Sequence, residues 1–192
     1  DQKRLLSDIE RLPTPFRVIF AAVCAERQYP QYSGFSLTKR EDAEALRATL
    51  DRLWSDLEGD PMGKRQLQQF SKLTESLIPD ENELPFIQER EWAVNAAVAL
   101  AYALRCRKSG DAQDAMWAAL RVTDGVLHFT EAQQGYPSRK GGELDKVMSH
   151  PLIQAEMWRQ RRDLDDLFAA DHNDIARTAQ HMQQRAKSEA ST

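Results

Sequence analysis

The apolar residues of this chain recur at intervals of three and four, which lines up one face of an α-helix, and nowhere alternate as a half-buried strand requires. Leu5, Ile9 and Leu12 form the first such stripe, and Pro13 ends it. Thr14 and Pro15 mark the next start, because Thr can cap exposed amides and Pro suits a first turn. Phe16, Ile19, Phe20 and Val23 carry the second stripe. Pro30 is expected to interrupt it, leaving Tyr29, Tyr32 and Phe35 in or just beyond the break. A third helix after Thr38 puts Leu46, Leu50, Leu53, Trp54 and Leu57 on one face and stops at the turn Gly59, Asp60, Pro61, Gly63. Leu67, Phe70, Leu73 and Leu77 define a fourth, closed by Pro79 and the acidic loop Asp80 to Glu83.

The segment after Pro85 differs, since Ala93, Ala96, Ala97, Val98, Ala99, Leu100, Ala101 and Ala103 are apolar or small nearly all round. Such a helix belongs at the centre of a bundle, where small side chains let neighbours approach closely. Gly110 is placed to end it and Asp111 to cap a sixth helix with Ala115, Ala119, Val122, Val126 and Phe129 inward. A flexible stretch, Gly135 to Gly142, follows. Pro151 then opens a seventh helix with Ile153, Met157, Leu164, Leu167 and Phe168. The eighth, with Ile175, Ala179, Met182 and Ala186, is thinly apolar and fades into a polar tail from about residue 187. The expectation is an all-α, single-domain multi-helix bundle over residues 1–192, of seven to eight helices around the Ala-rich fifth.

Composition supports one core without a staple. With 192 residues and 41% hydrophobic side chains, such a domain buries roughly 70% of its unfolded surface. Cys24 and Cys106 lie in apolar helical segments, which predicts two buried free thiols and a cytoplasmic, reducing location. The longest apolar run, Ala93 to Leu104, is short of the roughly 18 to 20 residues of a membrane span, so no membrane is expected. A net charge of −4 argues against nucleic acid as partner. The one basic cluster, Arg159, Arg161 and Arg162, precedes Asp163, Asp165 and Asp166 and reads as a solvated, self-compensating face.

Catalytic motifs of high specificity are missing. There is no phosphate-cradling glycine loop, nucleophile elbow, paired-cysteine zinc pattern or His-Glu-x-x-His, so no catalytic residue, metal or cofactor is assigned. A dinuclear carboxylate site needs Glu three residues before His, whereas His128 here precedes Glu131. Glu26, Glu91 and Glu156 are further carboxylates it could recruit. Glu41 and Glu44 match the first acidic pair of all-α nucleotide pyrophosphatases, but the second pair does not follow. The run from Cys24 to Phe35 is more distinctive. Glu26 and Arg27 as an ion pair near a helix end, with Tyr29, Tyr32 and Phe35 around a proline, suit an aromatic-lined pocket or partner surface. The alternative is that these aromatics pin the helix to the core.

The same run, Glu26-Arg27-x-Tyr29-Pro30-x-Tyr32-x-x-Phe35, resembles the YjaG-like bacterial family, domain of unknown function 416. Leu53-Trp54, Ile78-Pro79, the Ala-rich segment Ala96 to Leu100, Gly110, Glu131, and Pro151 with Glu156 extend the resemblance along nearly the whole chain. Two departures are a longer, more basic loop from Gly135 to Lys146 and Met157 where an aromatic is usual. The resemblance implies an all-helical cytoplasmic bacterial protein whose gene neighbourhoods point toward signalling alongside sensor kinases, and it supplies no catalytic residue. The functional expectation is a non-enzymatic interaction or regulatory module with a protein partner. Its candidate binding residues are Glu26, Arg27, Tyr29, Tyr32, Phe35, Glu131 and Glu156. Two alternatives stand beside it: an immunity protein that neutralises a toxin, and a metal-dependent or small-molecule-binding bundle using Glu26, Glu131 and Glu156 with His128.

Overall fold

A computed structural model describes residues 2–35, 39–80, 88–134 and 148–190, the side chains of 88, 89 and 129–134 excepted. All regular structure among the described residues is helical: α1 (Gln2–Glu10), α2 (Thr14–Ser33), α3 (Arg40–Leu57), α4 (Lys64–Ser76), α5 (Gln88–Ser109), α6 (Ala112–Gln134), α7 (Pro151–Ala169) and α8 (Ile175–Ala190). The all-α bundle is therefore as the periodicity predicts. The start at Thr38, the acidic loop beyond Asp80, the inward Phe129 and the stretch Gly135 to Gly142 lie outside the described residues and side chains.

Helix ends follow from local chemistry. Gly110 ends α5 at φ +73°, donating its N–H to the Cys106 carbonyl at 2.7 Å. Its own carbonyl accepts from Arg17 Nη1 at 2.8 Å, and Arg17 also donates to the Leu12 and Glu10 carbonyls, so one guanidinium ties the ends of α1 and α5 together. Asp111 caps α6 as expected, its Oδ1 accepting from the Gln113 amide at 2.9 Å. A Cβ at position 110 would stand 3.0 Å from Thr14 Cγ2 in a left-handed conformation. Gly110→Ala is accordingly expected to lower stability by about 1 to 2 kcal/mol. Urea denaturation followed by helical circular dichroism checks this, and an unchanged midpoint would contradict it.

The centre of the bundle is shared. Ala93, Ala96, Ala97, Ala99 and Ala103 of α5 are buried against α2 and α6, where Ala21, Ala22, Ala115, Ala118 and Ala119 are buried too. Small residues on facing sides permit this close approach. Yet α2 is as central as the Ala-rich helix: residues 18–28 are buried without a break, and α2 packs on α3, α5, α6, α7 and α8.

The structure corrects several expectations. Pro30 does not break α2, which continues to Ser33. Proline in a last turn removes only one backbone donor, and burial of Tyr32 and Phe35 carries that turn through. The turn closes with the Gly34 amide donating to the Pro30 carbonyl at 2.9 Å. Thr14 is already helical and caps nothing, because the chain enters α2 through extended Pro13. Leu73 is exposed rather than packed, and Val126 is only half-buried. No described helix is long and apolar enough to cross a membrane.

Candidate functional site

Adjacent residues on a helix point about 100° apart, and Glu26 and Arg27 consequently do not pair with each other. Each anchors a separate buried network. Arg47 of α3 donates from Nη1 to Glu26 Oε1 at 2.6 Å and from Nη2 to Oε2 at 3.0 Å. Trp54 Nε1 donates to the same Oε2 at 2.8 Å. Arg47 Nη2 also donates to Asp51 at 2.6 Å, and its guanidinium lies 5.0 Å above the Tyr29 ring. Burial works against the charge on Arg47, but its hydrogen bonds to Glu26 and Asp51 outweigh it and hold the group above its ordinary range.

The second network joins α2, α7 and α8. Arg27 donates from Nη1 to Asp163 Oδ2 at 2.6 Å and from Nη2 to Glu156 Oε1 at 3.1 Å, all three groups being buried. Gln160 Nε2 donates to Glu156 at 3.0 Å. From α8, Arg185 Nη2 donates to Asp163 Oδ1 at 2.5 Å, and Arg185 also pairs with Asp166. Glu189 lies 3.5 Å from Arg27 and pairs with Arg162. Burial opposes the Arg27 charge, and Glu156 and Asp163 overcome it. The reading of residues 159 to 166 as a solvated face is thus wrong in its centre. Asp163 is fully buried because it falls on the inward seam Ile153, Glu156, Gln160, Asp163, Leu167, spaced three and four apart.

The remaining sequence candidates separate cleanly. Tyr32 is buried and donates to the Leu77 carbonyl at 2.7 Å, and Phe35 is buried, so both pack the core. Tyr29 is half-buried and donates to the Ala43 carbonyl at 3.2 Å. Glu156 belongs to the Arg27 network and Glu26 to the Arg47 network, so the structure does not bring these two carboxylates together. The Glu131 side chain lies outside the described residues. Among the described residues no group of three or more His, Cys, Asp or Glu is placed to hold a metal ion. A cleft of about 330 Å³ does open over the first network, between α2, α3 and the end of α8, with Glu26, Tyr29, Arg47, Asp51 and Lys187 on its walls.

One exposed feature was missed. Trp158 of α7 is 61% exposed with the Arg162 guanidinium 4.8 Å over its ring. Arg161 stands on the same side, bridging Asp165 at 3.0 Å and Asp8 at 2.7 Å. The signal was available: Trp158 lies off the apolar stripe that runs through Ile153, Leu164 and Leu167.

Cys24 and Cys106 are buried free thiols. Burial pushes both up, Cys106 to about 12, and burial likewise lifts Tyr32 to about 12. Between roughly pH 9 and 12 the unfolded chain releases protons that these folded groups retain, so stability falls as pH rises through that window. Melting curves are expected to shift steadily downward there, and a flat profile would contradict it. At about pH 8 neither thiol is expected to react with a disulfide reagent until the chain unfolds, because the thiolate is the reactive form.

The family model described as "Protein of unknown function (DUF416)" matches residues 4–191. Among solved structures, the crystal structure of a DUF416 family protein from Shewanella baltica OS155 superposes with a TM-score of 0.79 at 19% identity, covering 94% of this chain and 92% of that one. At that identity the likeness bears on the fold alone. No curated protein matches this chain.

Proposed function

The chain belongs to the DUF416 family of proteins of unknown function, and on that premise we propose that it is a non-enzymatic interaction module that acts in regulation by binding a protein partner through α7. The observation that carries this reading is Trp158, an indole 61% exposed on a rigid helix with an arginine stacked over it. Tryptophan and arginine are enriched among the residues that dominate the energetics of protein interfaces. Glu26 and Arg27 of α2 and Glu156 of α7 support it from the other side, since they are engaged in ion pairs that hold helices together. Arg159, Arg161 and Arg162 are answered by Glu156, Asp8, Asp165 and Glu189, so the indole rather than net charge sets the contact and favours a partner with an apolar pocket.

A photo-crosslinking amino acid at exposed Gln154, one turn before Trp158 on α7, is expected to give one discrete, stoichiometric adduct in the native cell, and Trp158→Ala should remove it. The same probe at Glu44, exposed on α3, should not. Arg161→Glu should weaken the adduct by setting a third carboxylate beside Asp8 and Asp165 at the edge of the contact. Equal labelling from both positions would overturn the reading.

A further inference from the structure

A helix that is apolar nearly all round is ordinarily covered on every side, yet α5 is not. α2, α4 and α6 pack on it, and Val94, Val98, Ala101 and Tyr102 are left only half-buried. No described helix is long and apolar enough to cross a membrane, so lipid does not account for that bare side. The surface continues onto α6, where Trp117 stacks on Tyr102 with ring centroids 6.3 Å apart and Leu120 is half-buried as well. Independently of the α7 face, we infer that a second copy of this chain covers this surface, with α5 packed antiparallel on its counterpart about a twofold axis at Val98.

The order of charges along the stripe identifies the occupant. Its positions recur three and four apart as Glu91, Val94, Val98, Ala101 and Arg105, an acid at one end, a base at the other and apolar residues between. Val98 stands midway between the two charges. A contact about a twofold axis uses one patch twice and must be complementary to itself. Rotation about Val98 brings Glu91 against the partner subunit's Arg105 at both ends and Val94 against the partner subunit's Tyr102. A parallel pairing would instead set like charges together. Both end groups have capacity for this second contact. Glu91 accepts from Arg90 on Oε1, which leaves Oε2 and further lone pairs for another donor. Arg105 is 60% exposed, reaches Asp114 through Nη2 at 3.2 Å and lies 5.2 Å over the Tyr102 ring, with further N–H donors to give. Tyrosine and tryptophan at the centre of the patch are the residue types enriched in protein interfaces.

The test is light scattering and sedimentation equilibrium on the full chain from roughly 1 to 100 μM, a range that brackets micromolar association. The parent is expected to show a mass twice that of one chain. Glu91→Arg and Arg105→Glu each set like charges together at both ends of the contact, and each should weaken self-association by roughly a hundredfold or more. Mixed in equal amounts, these two variants should form a dimer again, because the two bases of one chain then meet the two acids of the other. Within one chain the two positions are about 21 Å apart along the helix, so the recovery has no intramolecular explanation. Val98→Lys places two cations on the axis and should give a monomer with the helical circular dichroism of the parent. Trp158→Ala should leave the dimer intact, which keeps this contact distinct from the one made through α7. A parent that stays monomeric over the whole range overturns the inference. So does a dimer that survives Arg105→Glu or Val98→Lys, or a mixture of the two charge variants that stays monomeric.

Discussion

Arg27→Met is expected to lower the unfolding free energy by about 3 to 5 kcal/mol, the cost of leaving buried charge without its partner. Methionine is close in length and apolar, so the packing loss is small and the electrostatic one dominates. Glu156 loses one of its donors, and Asp163 keeps only Arg185. Adding Glu156→Gln and Asp163→Asn to the same background should recover part of the loss, because neutral amides no longer need a counter-charge. Urea midpoints followed by helical circular dichroism, at constant m-value, report both steps. If Arg27→Met costs under about 1 kcal/mol, the network is solvated and does not hold the helices together.

Trp54→Ala should cost a similar amount, about 3 to 5 kcal/mol, for a different reason. Trp54 is 1% exposed, and removing its indole leaves a large cavity between α3 and the core. Trp54→Phe separates the two contributions of the side chain. It keeps most of the ring but removes the Nε1 donor, and since Glu26 retains both bonds from Arg47 the expected cost falls to about 1 to 3 kcal/mol. Equal losses in the two variants would mean that the hydrogen bond, not the filled volume, is what matters.

The fold was legible because its information is local. Pro13, Gly110 and the Gly59 to Gly63 turn stop helices through their own backbone chemistry, and apolar periodicity declares the inward face of each one. Pro30 misled because its effect depends on how far it stands from the helix end, and that was set by burial of Tyr32 and Phe35. The ion networks were not legible. Arg27 and Asp163 are separated by 136 residues, and no local pattern pairs one arginine with one carboxylate at such range. The buried position of Asp163 was nonetheless written in the three-and-four spacing of the α7 seam, once polar residues are allowed on it. Within the candidate run the expected pairing of Glu26 with Arg27 is not what forms, since the two hold different helices.

That long separation also sets an order of events during synthesis. At about 5 to 20 residues per second, roughly 7 to 27 seconds pass between the emergence of Arg27 and that of Asp163 across those 136 residues. Arg185 and Glu189 follow later still. For that interval Arg27, on a helix as central as α5, is without the carboxylates it pairs with in the folded chain. The arrival of α7 and then α8 supplies the missing carboxylates. The buried network around Arg27 is thereby complete only when the later helices have been made.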